Sequence, residues 1–176
     1  MANHVWQRVT IESDKSEVHQ KLDDWFGSLQ YNDVKGVVEP IFGKDWKYDT
    51  DAVGSKWIIV EDCTFGDTES YINFCSAWHP ADGFLEELNS VLLAMDENAT
   101  MSFTGDEESN DFLFAGYGSK DGFHLEMSDD VPERLWEEEC EEEGLDYDEE
   151  TDNFYDEVDD IHNSLLNESI KQVEGY

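Results

Sequence analysis

Between Asp129 and Asp160 the chain places 18 acids and a single base, Arg134, in 32 residues, a net charge of −17. The other 144 residues carry 27 acids and nine bases, a net of −18. Half of the excess charge therefore sits in less than a fifth of the chain. Like charges this dense raise the energy of a compact state by mutual repulsion, and the run holds few apolar residues to offset that cost. A core has to be built mainly from the residues before it. The whole chain has 10 Lys and Arg against 45 Asp and Glu, a net of −35, which excludes nucleic acid and anionic membrane surfaces as direct ligands. At 13% aromatic, it is too rich in rings for a disordered chain, and its 176 residues amount to one domain or one domain with an appendage.

The pattern of that core is legible. Val5, Val9 and Ile11 alternate with Trp6, Arg8 and Thr10, which predicts a strand. Val18, Leu22, Trp25, Phe26 and Leu29 follow at helical spacing behind Ser13-Asp14, predicting an amphipathic helix over 14–29. Residues 30–55, with Gly36, Pro40, Gly43 and Gly54, read as irregular. Lys56–Val60 is a short apolar run expected to be a buried strand, and Tyr71–Trp78 is a second strand after a turn at Gly66-Asp67. Pro80 precedes a second helix whose inner face is Phe84, Leu85, Leu88, Val91, Leu92 and Met95. Three strands then close the body: Ala99, Met101 and Phe103; Phe112 and Phe114, after the polar turn 106–110; and Phe123, Leu125 and Met127, after the Asp121-Gly122 turn. The order βα, ββα, βββ fits an α+β ferredoxin-like sandwich over 1–128, an antiparallel sheet with two helices on one face.

Residues 129–176 read as an acidic helical extension. Asp130 and Pro132 are positioned to start a helix running to Glu143 and ended by Gly144. It has little to bury beyond Val131, Leu135, Trp136 and Cys140. Thr151 or Asp152 is positioned to cap a second helix, whose stripe of Phe154, Val158, Ile161, Leu165 and Val173 gives it a surface to dock.

Several motifs together carry a resemblance. Asn3-His4-Val5 opens a strand; Gly54-Ser55-Lys56-Trp57, Ala77-Trp78-His79-Pro80 before Phe84-Leu85, Phe114-Ala115-Gly116 and Asp121-Gly122 follow in order. Over roughly residues 1–127 the chain resembles the YubB-type ferredoxin-like domain of bacteriophages and conjugative plasmids. The resemblance implies a ferredoxin-like fold without an iron–sulfur cluster, no enzyme activity, and an origin on a mobile element.

Candidate chemistry is sparse. No Cys-x-x-Cys or Gly-x-Ser-x-Gly occurs, the three cysteines (Cys63, Cys75, Cys140) read as reduced and buried, and the five histidines are scattered. His79, at a strand-to-helix corner, is the most interesting of them. Gly116–Gly122 has the wrong spacing for a phosphate loop. Asp146, Asp148, Glu150 and Glu157 fall at positions 1, 3, 5 and 12 of an EF-hand loop, but Thr151 stands where the turn requires Gly. No cofactor and no metal is expected. With no apolar leader and no run near the ~20 residues of a membrane span, the bacterial host cytoplasm is the expected location. The sequons at Asn98 and Asn167 then carry no meaning.

The charge run remains. If helical, one acid per 1.8 residues is one per about 2.7 Å, close to the ~3.4 Å between phosphates of one DNA strand. The expectation is a non-enzymatic DNA mimic that binds and inhibits a basic DNA-binding bacterial protein, such as a nuclease or defence factor. The expected contact residues are Glu133, Glu137, Glu138, Glu141, Glu142, Asp146, Asp148, Glu149, Asp152 and Asp156, with Trp136 and Tyr147 as aromatic anchors. The other readings are an interaction or housekeeping protein whose charge serves solubility, and a small hydrolase, for which no residue set argues.

Overall fold

A computed structural model describes residues 3–43, 50–109 and 111–175. It is a mixed α+β fold around one seven-stranded antiparallel sheet, in the order β2-β3-β4-β1-β5-β6-β7. The strands are β1 His4–Glu12, β2 Asn32–Asp33, β3 Ile58–Phe65, β4 Glu69–Ala77, β5 Thr100–Glu107, β6 Leu113–Ser119 and β7 Gly122–Ser128. The helices are α1 Ser16–Phe26, α2 Val38–Phe42, α3 Thr50–Val53, α4 Asp82–Met95, α5 Glu137–Glu143 and α6 Tyr147–Glu174. The sheet has one strand more than the alternation predicted. β2 is a two-residue edge paired with Ile59 and Val60, too short to leave a periodic signal. The stretch expected to be irregular holds β2, a 3-10 turn and α2 and α3, while 44–49 lie outside the described residues. Asn110 of the expected polar turn also lies outside them.

β1 presents Val5, Val9 and Ile11 to one face of the sheet, where they are fully buried against Val18, Leu22 and Phe26 of α1 and Phe84, Leu85, Leu88 and Leu92 of α4. Rings fill the layer: Phe74 meets Phe26 and Phe84 edge-on, with centroids 5.7 and 5.6 Å apart. Phe103 and Phe114 are accommodated by glycines directly across the strand pair, Gly116 and Gly105 respectively. A Cβ on either glycine would collide with the ring that covers it.

Two of the motif segments meet at one corner. Ser55 Oγ donates to the Ala77 carbonyl (3.1 Å) and accepts from the Ala77 N–H (2.8 Å), tying the Gly54–Trp57 turn to the end of β4. Gln7 donates to Ser76 Oγ (2.7 Å) and accepts from Ala81 N–H (3.1 Å), so these buried polar groups are satisfied. Trp78 holds a left-handed backbone, φ 65°, between β4 and α4. His79 beside it is exposed on the surface.

The opposite face of the sheet is covered by α6, which lies over β5, β6 and β7. Strand alternation divides β6 between the two layers: Phe114 joins the α1/α4 core, whereas Leu113 and Ala115 pack with Leu165, Val131, Val158, Ile161 and Leu166. Helices therefore cover both faces, instead of one. On the β3–β4–β1 half, beyond α6, Trp6, Arg8 and Tyr71 are exposed. No helix among the described residues is long and apolar enough to cross a membrane.

Candidate functional site

The acidic run does not form the helix expected from Asp130. Residues 129–136 are non-helical and α5 spans only Glu137–Glu143. The Val131-Pro132 step explains part of this, because a residue before proline is driven out of the helical region. Side-chain contacts supply the rest. Arg134 lies over three rings, with its guanidinium carbon 5.2 Å from the centroid of Trp136, 5.7 Å from that of Phe154 and 5.8 Å from that of Tyr155. The only base of the run is thus held by its neighbour Trp136 and by two aromatic faces on α6, Phe154 and Tyr155. Glu139 then reaches back to accept from the Trp136 N–H (2.8 Å), which starts α5.

Cys140 is the buried residue of α5, and Glu137, Glu138, Glu139, Glu141, Glu142 and Glu143 all face solvent. Burial pushes the Cys140 thiol above its usual range, and the carboxylates of Glu150, Glu139, Glu143 and Asp146 push it further. Gly144 ends the helix in the left-handed conformation, φ 73°, and the Leu145 N–H returns to the Cys140 carbonyl (2.9 Å).

α6 starts earlier than expected, because Asp146, not Thr151 or Asp152, is its cap. The Asp146 carboxylate accepts from the N–H groups of Asp148 (3.1 Å) and Glu149 (3.3 Å). Residues 147–157 are consequently regular helix, so the acids at the EF-hand-like spacing do not line a binding loop. Phe154, His162, Leu165 and Ser169 are buried, at spacings of eight, three and four, which defines the inner face. Two polar members hold strand backbone. His162 Nε2 donates to the Gly105 carbonyl (3.0 Å) and Ser169 Oγ to the Ala115 carbonyl (3.3 Å).

Glu149, Asp152, Asp156 and Asp160 occupy the other side at spacings of three, four and four, and all are exposed. They form one outward stripe about 16 Å long at 1.5 Å per residue. Over 148–160 there are eight acids in 13 residues, one per about 2.4 Å of helix axis. The twelve residues singled out from the sequence all reach the surface: Glu133 on the non-helical lead-in, Glu137, Glu138, Glu141 and Glu142 on α5, and Asp146, Asp148, Glu149, Asp152 and Asp156 along the start of α6. Trp136 is 60% exposed beside Arg134, and Tyr147 is half-buried. They do not form one continuous rod, since the lead-in is non-helical and Gly144–Asp146 separates two helices. The charge spacing of a helix applies segment by segment, and most fully to α6.

Sequence reasoning passed over the sheet residues beside this unit. Trp6 and Arg8 read only as the outward partners of a strand, and Asp106 as part of a turn, yet all three lie beside Phe154, Tyr155 and Asp159 of α6. Burial pushes the Asp106 carboxyl above its usual range, while Arg8 and His162 pull it back. The alternation of Trp6, Arg8 and Thr10 was the available signal. Compared with family models, curated proteins and solved structures, the chain matches none.

Proposed function

We propose that this chain is a non-enzymatic polyanion mimic, of phage or plasmid origin, acting in a bacterial cytoplasm. Its acidic C-terminal unit occupies the DNA-binding surface of a basic nuclease or defence protein and excludes the nucleic acid. The observation that carries this reading is the outward stripe of Glu149, Asp152, Asp156 and Asp160, set opposite the buried stripe of the same helix. Successive acids of the stripe are about 4.5–6 Å apart, and with the flanking acids the eight carboxylates of 148–160 average one per about 2.4 Å of helix axis, between the ~3.4 Å of one DNA strand and the ~1.7 Å of the duplex. A groove built for phosphates would be steered to such a stripe and would release its condensed ions on contact.

The body is read as a ferredoxin-like sandwich over 1–128 that carries the 129–176 extension. Support comes from the succession β1, α1, β3, β4, α4, β5 with spatial order β3-β4-β1-β5, to which β2, β6 and β7 are additions. The YubB-type motifs fall in this body, and the Gly54–Trp57 and Ala77–Pro80 segments meet at its corner.

The test is capture of partners from bacterial lysate by the wild-type chain and by two variants, one with Glu137, Glu138, Glu141 and Glu142 of α5 all changed to Gln, the other with Glu149→Gln, Asp152→Asn, Asp156→Asn and Asp160→Asn on the α6 stripe. The mimic reading expects a DNA-binding protein to be retained by the wild type, weakened by the first variant and lost by the second, with all three chains folded. Equal retention by the stripe variant overturns it and leaves charge serving solubility.

A further inference from the structure

The chain has only two arginines, Arg8 and Arg134, 126 positions apart, and both line one cleft of about 250 Å³ between the sheet and the first half of α6. Carboxylates outnumber bases by more than four to one, yet among the described residues neither arginine lies in an ion pair, whereas Lys15, Lys21, Lys35 and Lys171 each do. Arg134 is fixed by its three rings, and its Nε is buried without a hydrogen-bond partner. A buried guanidinium N–H without an acceptor is costly, and the guanidinium fork matches phosphate or carboxylate oxygens in pairs.

The other walls say what accompanies the anion. Trp6, from β1, and Tyr155, from α6, flank the cleft with 36% and 50% of their surface exposed; His4 stacks on Trp6 (6.1 Å) and Arg134 lies over Tyr155 (5.8 Å), so each ring has one other face to offer a flat ligand ring. Asp106 and Asp159 add two carboxylates suited to accept N–H groups from the edge of such a ring. Guanidinium forks, stacking faces and N–H acceptors in one small cleft are the complement of a nucleotide. The volume suits a single nucleotide, and the surrounding acids disfavour further phosphates.

We propose that this cleft binds a nucleoside monophosphate, with the phosphate on Arg8 and Arg134 and the base between Trp6 and Tyr155. The cleft lies beside the acidic stripe and not on it, so this site stands or falls independently of the mimicry reading.

The test titrates the full chain with each of the four ribonucleoside 5′-monophosphates, followed by tryptophan fluorescence and calorimetry, with adenosine and inorganic phosphate as controls. Saturable binding at sub-millimolar concentration is expected for at least one nucleotide, with both controls weaker. Arg8→Gln, on an exposed strand position, should keep the wild-type melting curve and weaken binding about tenfold or more. Arg134→Gln should weaken it comparably. The four-fold Gln variant of α5 should bind nucleotide as well as the wild type. No saturable binding at millimolar nucleotide, or undiminished binding by Arg8→Gln, overturns the proposal. Inorganic phosphate binding as tightly as the nucleotides overturns the base subsite and with it the assignment.

Discussion

The two faces of the sheet are held in different ways. On one, α1 and α4 close over a continuous layer of fully buried rings and aliphatic side chains, including Phe26, Phe74, Phe84, Phe103 and Phe114. On the other, α6 rests through Leu165 on Leu113 and Ala115 of β6, with a few half-buried neighbours and two hydrogen bonds to strand carbonyls. The first face supplies the burial that makes a fold; the second supplies enough to seat a helix whose outer side is loaded with charge. Stability and the proposed function are thus assigned to opposite faces, and the acids are placed where their repulsion acts on the weaker contact.

The largest effect should come from breaking the first face. Phe103→Ala removes a buried ring stacked over Gly116 and is expected to cost about 3–5 kcal/mol, seen as a lower midpoint in denaturant unfolding of the whole chain. Leu165→Ala, in the thinner layer, should cost about 2 kcal/mol, the low end for such a truncation. Hydrogen exchange should show α6 losing protection before β1, β4 and β5. Equal loss across both faces would contradict the division.

A smaller effect is expected in acid. Asp96 accepts from Ser13 Oγ (2.6 Å) and, more weakly, from the Asn98 N–H (3.3 Å), with Lys15 Nζ 3.3 Å away. The Ser13 hydrogen bond first, then the others, hold its carboxyl below the usual range. A lowered carboxyl contributes stability above its unfolded value, near pH 4, and loses it as pH falls through the lowered folded value. Thermal midpoints should therefore fall below about pH 4 in the wild type and fall less in Asp96→Asn. The smallest effect is that of α5. Changing Glu137, Glu138, Glu141 and Glu142 to Gln should raise the melting temperature slightly at low salt, a gain that shrinks as salt is added. A lowered melting temperature would show that these acids support the fold.

How much of this was legible follows from where each signal resides. The strands of the body and the inner stripe of α6 were readable because burial imposes a period on apolar residues such as Val5, Val9 and Ile11, or Phe154, Val158 and Leu165. Helix starts were not. Asp130-Pro132 has the composition of a helix start, but Arg134 is drawn onto the rings of Trp136, Phe154 and Tyr155, and Glu139 completes the cap at Trp136 instead. Asp146 reads from the sequence as a partner contact and as the first acid of a broken EF-hand-like spacing, whereas an acid one position before a helix serves as its cap. The exposure of the acids was legible from composition alone. The cleft was not, because Arg8 and Arg134 meet only once α6 crosses the sheet, and no periodicity encodes that meeting.

The central claim is that the carboxylates of the C-terminal unit stand in for phosphates. The most direct measurement takes a protein retained by the chain and follows its affinity as salt rises, with duplex DNA added in competition. The account predicts a linear fall of log affinity with log salt, a steepness like that of a DNA complex, and full displacement by the duplex. An affinity indifferent to salt, or a complex that persists in saturating duplex, would contradict it.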